Sequence, residues 1–218
     1  MGDSISTTDY GALVPGEIYW QLIQSWNNIT DMAVSAQSGT TVHLTVGTAY
    51  EISHPGFVDS TRLAALGANG QPGFTLTFGA TNDFKGVRAI ASIGSPADTS
   101  LSSFYGALKC YFLSLWQAYP KAKHFYITPI YRADSGFPIY NSANSLYLYQ
   151  IVDTIKMIAK DYGIIVIDAY QDSGITYLNM STANNTPAVS YSTDSLHPIN
   201  TGHLKMAKLI NNQLLKHF

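Results

Sequence analysis

Four short segments of this 218-residue chain carry side chains that could do chemistry together. Gly2-Asp3-Ser4 opens the chain as a tight turn presenting a hydroxyl. Ser38-Gly39 and Asn82-Asp83 each follow a β-rich run, and Asp194-Ser195-Leu196-His197-Pro198 comes just before the last helical stretch. A serine hydroxyl is a poor nucleophile until a base accepts its proton, and a histidine held by a carboxylate is the usual base. Asp194 and His197 are three residues apart, a spacing that in a turn puts both side chains on one side. Asp194 can then hold the ring nitrogen facing away from Ser4. Attack on an acyl carbon makes an oxyanion, which needs fixed donors. The backbone N–H groups of Ser4 and Gly39 and the side-chain amide of Asn82 would supply three, and losing one such donor costs about a hundred- to a thousand-fold in rate.

Each residue also has a plain structural reading. Ser4 could cap a turn, Gly39 could simply serve one, and Asp194 could cap the last helix. His197 could be a partly buried core histidine. Asp83 is assigned mainly to capping the loop after its strand. Asp168, at the end of "IIVIDAY", is the rival acid for the histidine, without the short fixed spacing. His43, His54, His124, His203 and His217 lack a comparable partner in sequence, and His203 is expected to face outward. Cys110, the single cysteine, sits in "ALKCYFLSLW" and reads as a small buried hydrophobe. The opening "MGDSIS" also fits the loose N-myristoylation pattern, but one acyl chain without a basic patch binds membranes weakly.

The elements that must position these residues alternate. "PGEIYWQLIQSWN" sets Ile18, Leu22, Ile23 and Trp26 on one helical face. "ITDMAV" reads as a strand, "SAQSGTT" as a turn, and "VDSTRLAALG" as a short helix ended by Gly67. "GFTLTFGA" is β-rich, and "SLSSFYGALKCYFLSLWQAYP" is a long apolar helix stopped at Pro120. "KHFYITPI" and "IIVIDAY" are further strands around the helix "NSLYLYQIVDTIKMIAKDYG", and "TGHLKMAKLINNQLLKHF" closes the chain as a helix. Strands alternating with helices predict an α/β fold, a parallel sheet covered on both faces. Ligands of such sheets sit at the carboxyl ends of the strands, where all four segments fall.

Composition narrows the function. Charged residues are 12% of the chain and the net charge is −2, with no basic stripe, so neither nucleic acid nor an anionic membrane is an expected partner. No run of eighteen apolar residues predicts a membrane span, and no secretory signal precedes the domain. The Asn-x-Ser/Thr matches at Asn28, Asn179 and Asn184 carry little weight alone. No histidine–carboxylate spacing suggests a metal, no glycine pattern suggests a phosphate, and no cofactor is expected.

Taken in order, "GDSIS", "SAQSGTT", "FGATNDF" and "DSLHPINTGHLKMA" resemble the SGNH, or GDSL, hydrolase superfamily over most of the chain. The resemblance implies a three-layer α/β/α sandwich with a parallel sheet in the flavodoxin-like order 2-1-3-4-5. It implies Ser4 as nucleophile, Asp194 and His197 as its partners, and Ser4, Gly39 and Asn82 as the oxyanion hole. Pro198, Asn200 and Gly202 suit the family's continuation. One departure stands out: Ala80 occupies the glycine slot of the Gly-x-Asn-Asp segment, with Gly79 one residue earlier.

Family members cleave esters of lipids, thioesters, small esters and O-acetylated sugars. The 15 tyrosines and the loop "YRADSGFPIYNSANSLYLY" tilt the expectation toward removal of O-acetyl groups from a polysaccharide. A lipase or thioesterase of the same fold and an inactive carbohydrate-binding module are the alternatives. Residues 1–218 read as one domain. Only Met1 precedes the nucleophile turn, so the central strand slot is expected to stand empty, as in a domain cut from a longer extracellular, cell-surface or virion protein, or to be filled by "VHLTV" (Val42 to Val46).

Overall fold

The computed structural model describes residues 1–8, 10, 14–44, 53–85, 89–136, 138–182 and 190–218. Three parallel strands form the sheet: β1 (Phe74–Phe78), β2 (Lys123–Ile127) and β5 (Ile165–Ile167), in the order β1-β2-β5. Phe78 lies opposite Ile127, which lies opposite Ile167, so the three strands end level at the carboxyl edge. A short antiparallel hairpin, β3 (Tyr140–Asn141) with β4 (Leu146–Tyr147), stands apart from this sheet.

The sheet continues beyond β1 in reduced form. Gly2 makes parallel bridges to Phe78 on one side and to Ala36 on the other. Phe78 N–H donates to Met1 O at 3.0 Å, Gly2 N–H to Ser35 O at 2.9 Å, and Gln37 N–H to Gly2 O at 3.1 Å. Across the sheet the chain therefore runs from Ala36 through Gly2 to β1, β2 and β5, which is the 2-1-3-4-5 order. The expected strand at "ITDMAV" is instead an extended segment whose pairing begins only at Ser35. The pairing there is a single parallel bridge, Ala36 with Gly2, flanked by the bonds of Ser35 and Gln37 to Gly2.

The slot is consequently not empty at its carboxyl end: Met1 and Gly2 enter it. "VHLTV" does not fill it. Val42, His43 and Leu44 follow a bend outside the sheet, and the last two residues of that run lie outside the described residues.

Side chains alternate across the strands and build two cores. On one face Tyr126 packs with Leu108, Tyr111 and Phe112 of helix α4 (Phe104–Ala118) and Ile151, Ile155 and Ile158 of α5 (Leu148–Asp161). On the other face Phe78, Phe125 and Ile127 pack with Ile23 of α1 (Tyr19–Trp26) and Met206, Ala207 and Ile210 of α8 (Asn200–Leu214). Burying each such large side chain contributes roughly 1.5–3 kcal/mol, so both helix layers are pinned to the sheet. Among the described residues no helix is long and apolar enough to cross a membrane.

Several smaller expectations change. Trp26 points to solvent, 42% exposed, since α1 ends there and Ile18 supplies the inner contact from its cap position. Cys110 is only partly buried on the outer side of α4. Short helices complete the fold: α2 (Ser60–Ala65), α3 (Thr81–Phe84), α6 (Ala169–Asp172) and α7 (Tyr177–Met180).

Candidate active site

Ser4 leaves the sheet directly after the Gly2 bridge, in a 3-10 turn spanning Ser4–Ser6. Asp3 caps that turn by accepting from Ile5 N–H at 3.0 Å. Gly2 has no room for a side chain, because a Cβ there would lie 2.2 Å from Ser6 Oγ. Behind the turn, the buried Arg62 guanidinium of α2 donates to Gly2 O at 2.7 Å, Ser35 O at 2.9 Å and Pro55 O at 3.0 Å. The Ser4 turn is thus held by a cation bonded to backbone carbonyls. Burial pushes the Asp3 carboxyl up to about 7.

His197 reaches Ser4 from the other end of the chain. Its Nε2 lies 3.0 Å from Ser4 Oγ, and its Nδ1 lies 2.6 Å from Asp194 Oδ2. The other oxygen of Asp194 accepts the backbone N–H groups of Leu196 at 2.9 Å and His197 at 2.7 Å. That local ring fixes the aspartate, and Ser195 adopts a left-handed φ of 66° to let the chain turn back. Partial burial pushes the Asp194 pKa up. The hydrogen bonds from the His197 ring and from the two N–H groups outweigh it and hold the carboxyl well below the usual carboxylate range. With Asp194 ionised, Nδ1 is the donor and Nε2 is free to accept the Ser4 hydroxyl proton.

The third segment meets the second. Asn82, on α3, donates its side-chain amide to Thr40 O at 2.9 Å, next to Gly39, which has a φ of 71°. One N–H of that amide is used in this bond, which leaves the second. Among the described residues the backbone N–H groups of Ser4 and Gly39 have no hydrogen-bond acceptor. Because Gln37 N–H bonds Gly2 O, the chain departs toward Ser4 and toward Gly39 from adjacent points on the sheet.

Ala80 does not divert this loop. It takes a left-handed conformation, φ 79° and ψ 0°, which glycine adopts readily and other residues at a cost of about 1–2 kcal/mol. The path into Asn82 is therefore that of a glycine, held by burial of the alanine methyl. Gly79 serves a different need, since a Cβ there would lie 2.4 Å from the Phe57 ring.

Other candidates separate from the site. Asp168 is the N-cap of α6, accepting from Gln171 N–H at 3.1 Å and Thr128 Oγ1 at 3.2 Å, and it pairs with Lys156. Asp83 does more than cap a loop: fully buried, it accepts Val42 N–H at 2.9 Å, His43 N–H at 3.0 Å and His43 Nδ1 at 2.8 Å. His43 thus has a carboxylate partner that the sequence did not reveal. His124 meets Thr75 Oγ1 at 2.8 Å, and His54 meets Ser53 Oγ at 2.8 Å. His203 faces inward, 1% exposed, because 203, 206, 207 and 210 form one apolar stripe on α8. Asn184 lies outside the described residues.

Sequence reasoning missed Arg62 and Tyr10. Arg62 sits in an unremarkable short helix, and no local pattern marks it. Nothing in the sequence around Tyr10 marks it either, yet its ring stacks on the His197 imidazole with centroids 4.1 Å apart and planes 7° apart.

No family model matches the sequence, and neither does any curated protein. Solved structures do match. A protein from Lactobacillus plantarum is 25% identical over 100% of this chain and 95% of its own, with a TM-score of 0.81. A protein designated a GDSL-like lipase from Bacteroides uniformis is 23% identical over 99% and 93%, at 0.64. A carbohydrate esterase of family 3 from Talaromyces cellulolyticus is 16% identical over 99% and 94%, at 0.61. The chain has the SGNH/GDSL hydrolase fold.

Proposed function

We propose that this chain is a serine esterase of the SGNH hydrolase superfamily that removes O-acetyl groups from a carbohydrate. The observation that carries the reading is the continuous hydrogen-bonded series Ser4–His197–Asp194, with contacts of 3.0 and 2.6 Å. In this reading Ser4 Oγ bonds to the acyl carbon as its proton passes to His197 Nε2. The carbonyl oxygen becomes an oxyanion facing the N–H groups of Ser4 and Gly39 and the second amide N–H of Asn82. Collapse breaks the ester C–O bond, and the leaving alcohol takes the proton from His197. Water repeats the sequence on the acyl-enzyme and frees the acid.

Two observations support a carbohydrate ester. The hairpin β3–β4 is fastened to the helix carrying Asn82, since Asn141 Nδ2 and Asn144 Nδ2 both donate to Phe84 O. Its Tyr140 and Tyr147 and the adjoining Tyr149 of α5 are neighbouring rings, with centroids 4.8 and 5.4 Å apart, and Tyr149 is 47% exposed. Amphipathic ring faces on an element fastened to the Asn82 helix suit a sugar better than an acyl tail. A cavity of about 310 Å³, lined by Met1, Ser6, Trp20, Leu66 and Phe74, has neither Ser4 nor His197 in its wall, so it is no acyl tunnel for this serine.

Hydrolysis of acyl esters of increasing chain length and of acetylated glycans, by wild type and Ser4→Ala, tests the reading. Ser4-dependent release of acetate that falls with longer acyl chains is expected. A rate rising with chain length would make the protein a lipase or thioesterase instead. Full activity in Ser4→Ala would remove the esterase reading altogether.

A further inference from the structure

The Tyr10 ring lies flat against the face of the His197 imidazole, with centroids 4.1 Å apart and planes inclined by 7°. Its hydroxyl is bonded by Ser38 Oγ at 2.8 Å, and Ser38 immediately precedes Gly39. One side chain therefore bridges the base at one side of the site and the loop of the oxyanion donors at the other. Tyr10 is 38% exposed, so its own burial gives little reason for this placement. A large, partly wet ring held between two parts of a site earns its place through what it touches.

We infer that Tyr10 is a positioning residue that acts through His197, an inference that rests on the esterase reading above. Two effects follow from the geometry. Stacking, with the Asp194 bond at the ring edge, leaves the imidazole one orientation, the one aimed at Ser4. When His197 takes the Ser4 proton it becomes an imidazolium, and a tyrosine face attracts a cation lying over it. That attraction is absent while the ring is neutral. Tyr10 therefore favours the transition state over the bound ester, and its loss lowers kcat while leaving KM nearly unchanged. The Ser38 bond keeps the tyrosine over the ring and carries the smaller share.

Two substitutions separate the parts. Tyr10→Phe keeps the aromatic face and loses the Ser38 bond; Tyr10→Leu keeps apolar bulk and loses the face. Expected are a kcat within about two-fold of wild type for Tyr10→Phe and about three- to thirty-fold lower for Tyr10→Leu, both with KM within two-fold. Equal kcat for the two variants, or a loss carried by KM, overturns the inference.

A second readout needs no natural ester. A phosphonofluoridate probe bonds through phosphorus to Ser4 Oγ, expels fluoride, and sends the serine proton to His197. Its labelling rate should fall in the same order, Tyr10→Phe above Tyr10→Leu. Equal labelling rates overturn the inference while Ser4→Ala still abolishes labelling and keeps the esterase reading. Labelling that persists in Ser4→Ala overturns that reading, and the inference resting on it falls with it. Both variants should melt within a few degrees of wild type, since the ring is part-exposed.

Discussion

The Asn82 side chain donates to Thr40 O at 2.9 Å, so the amide that the proposed esterase mechanism offers to an oxyanion is itself held by the loop that contains Gly39. Neither donor is free to drift without the other. Because one amide N–H is committed to Thr40, only the second can serve developing charge, and its direction is fixed in advance. Asn82→Ala should therefore lower kcat by about a hundred-fold or more with little change in KM, as expected for a donor that acts only in the transition state. Steady-state kinetics on a short-chain ester checks this. A raised KM at constant kcat would assign Asn82 to substrate binding.

Ser4 Oγ and His197 Nε2 lie 3.0 Å apart, and under the proposed mechanism the two should fail as a unit. Ser4→Ala and His197→Ala are each expected to remove nearly all turnover, and the double variant to be hardly worse than either. Rates for the two singles and the double close the cycle. Additive losses would show two groups acting independently.

Asp83 holds the segment that follows the Gly39 turn. Its carboxylate takes three donors from Val42 and His43 while 0% exposed. Asp83→Ala would remove three bonds to a buried carboxylate, at about 1–3 kcal/mol each. A loss of about 3 kcal/mol or more is expected, lowering Tm by about 6–12 °C for a chain of this size. Calorimetry measures it, and an unchanged Tm would mean that other bonds carry the loop.

Much of this was legible in the sequence, and the reasons differ by residue. Ser4, Asp194 and His197 could be read because a short motif fixes local geometry: three residues of spacing allow one carboxylate to bind its own turn and the ring together. Helices α4, α5 and α8 could be read because their apolar spacing is long and regular. The pairing of "ITDMAV" could not, since a strand is defined by its neighbour, and the bridge that forms, Gly2 with Ala36, lies beyond that run. Arg62 meets Gly2, Tyr10 meets His197 and His43 meets Asp83 across 60, 187 and 40 residues of chain, by contacts that no local spacing encodes. Ala80 shows the converse: the residue type departs from the glycine slot, and the buried alanine takes the left-handed conformation of a glycine all the same.

His203, expected to face outward, lies instead on the inner stripe of α8, and its burial has a consequence for acid stability. It is 1% exposed, its ring lies 6.1 Å from that of Tyr19, and its Nδ1 has no partner among the described residues. Burial, with a smaller push from His197, lowers its pKa from 6.5 to about 4. Above pH 6.5 the ring is neutral in both folded and unfolded chains and has no effect on the pH dependence. Between about 6.5 and 4 the unfolded chain binds a proton that the folded chain refuses, so stability falls as pH falls, by up to roughly 1.4 kcal/mol per pH unit. Asp3 opposes this over much of the same range, because a carboxyl raised to about 7 binds its proton more readily in the folded state. The histidine contribution is therefore best seen as a difference between variants. His203→Phe keeps an aromatic ring against Tyr19 and removes the titration. It should match wild type within about 1 kcal/mol at pH 7.5, and its relative stability should grow steadily as pH falls from 6.5 to 4. Urea denaturation of both proteins across that range measures the difference. A pH-independent difference would mean that His203 titrates alike in the folded and unfolded chains.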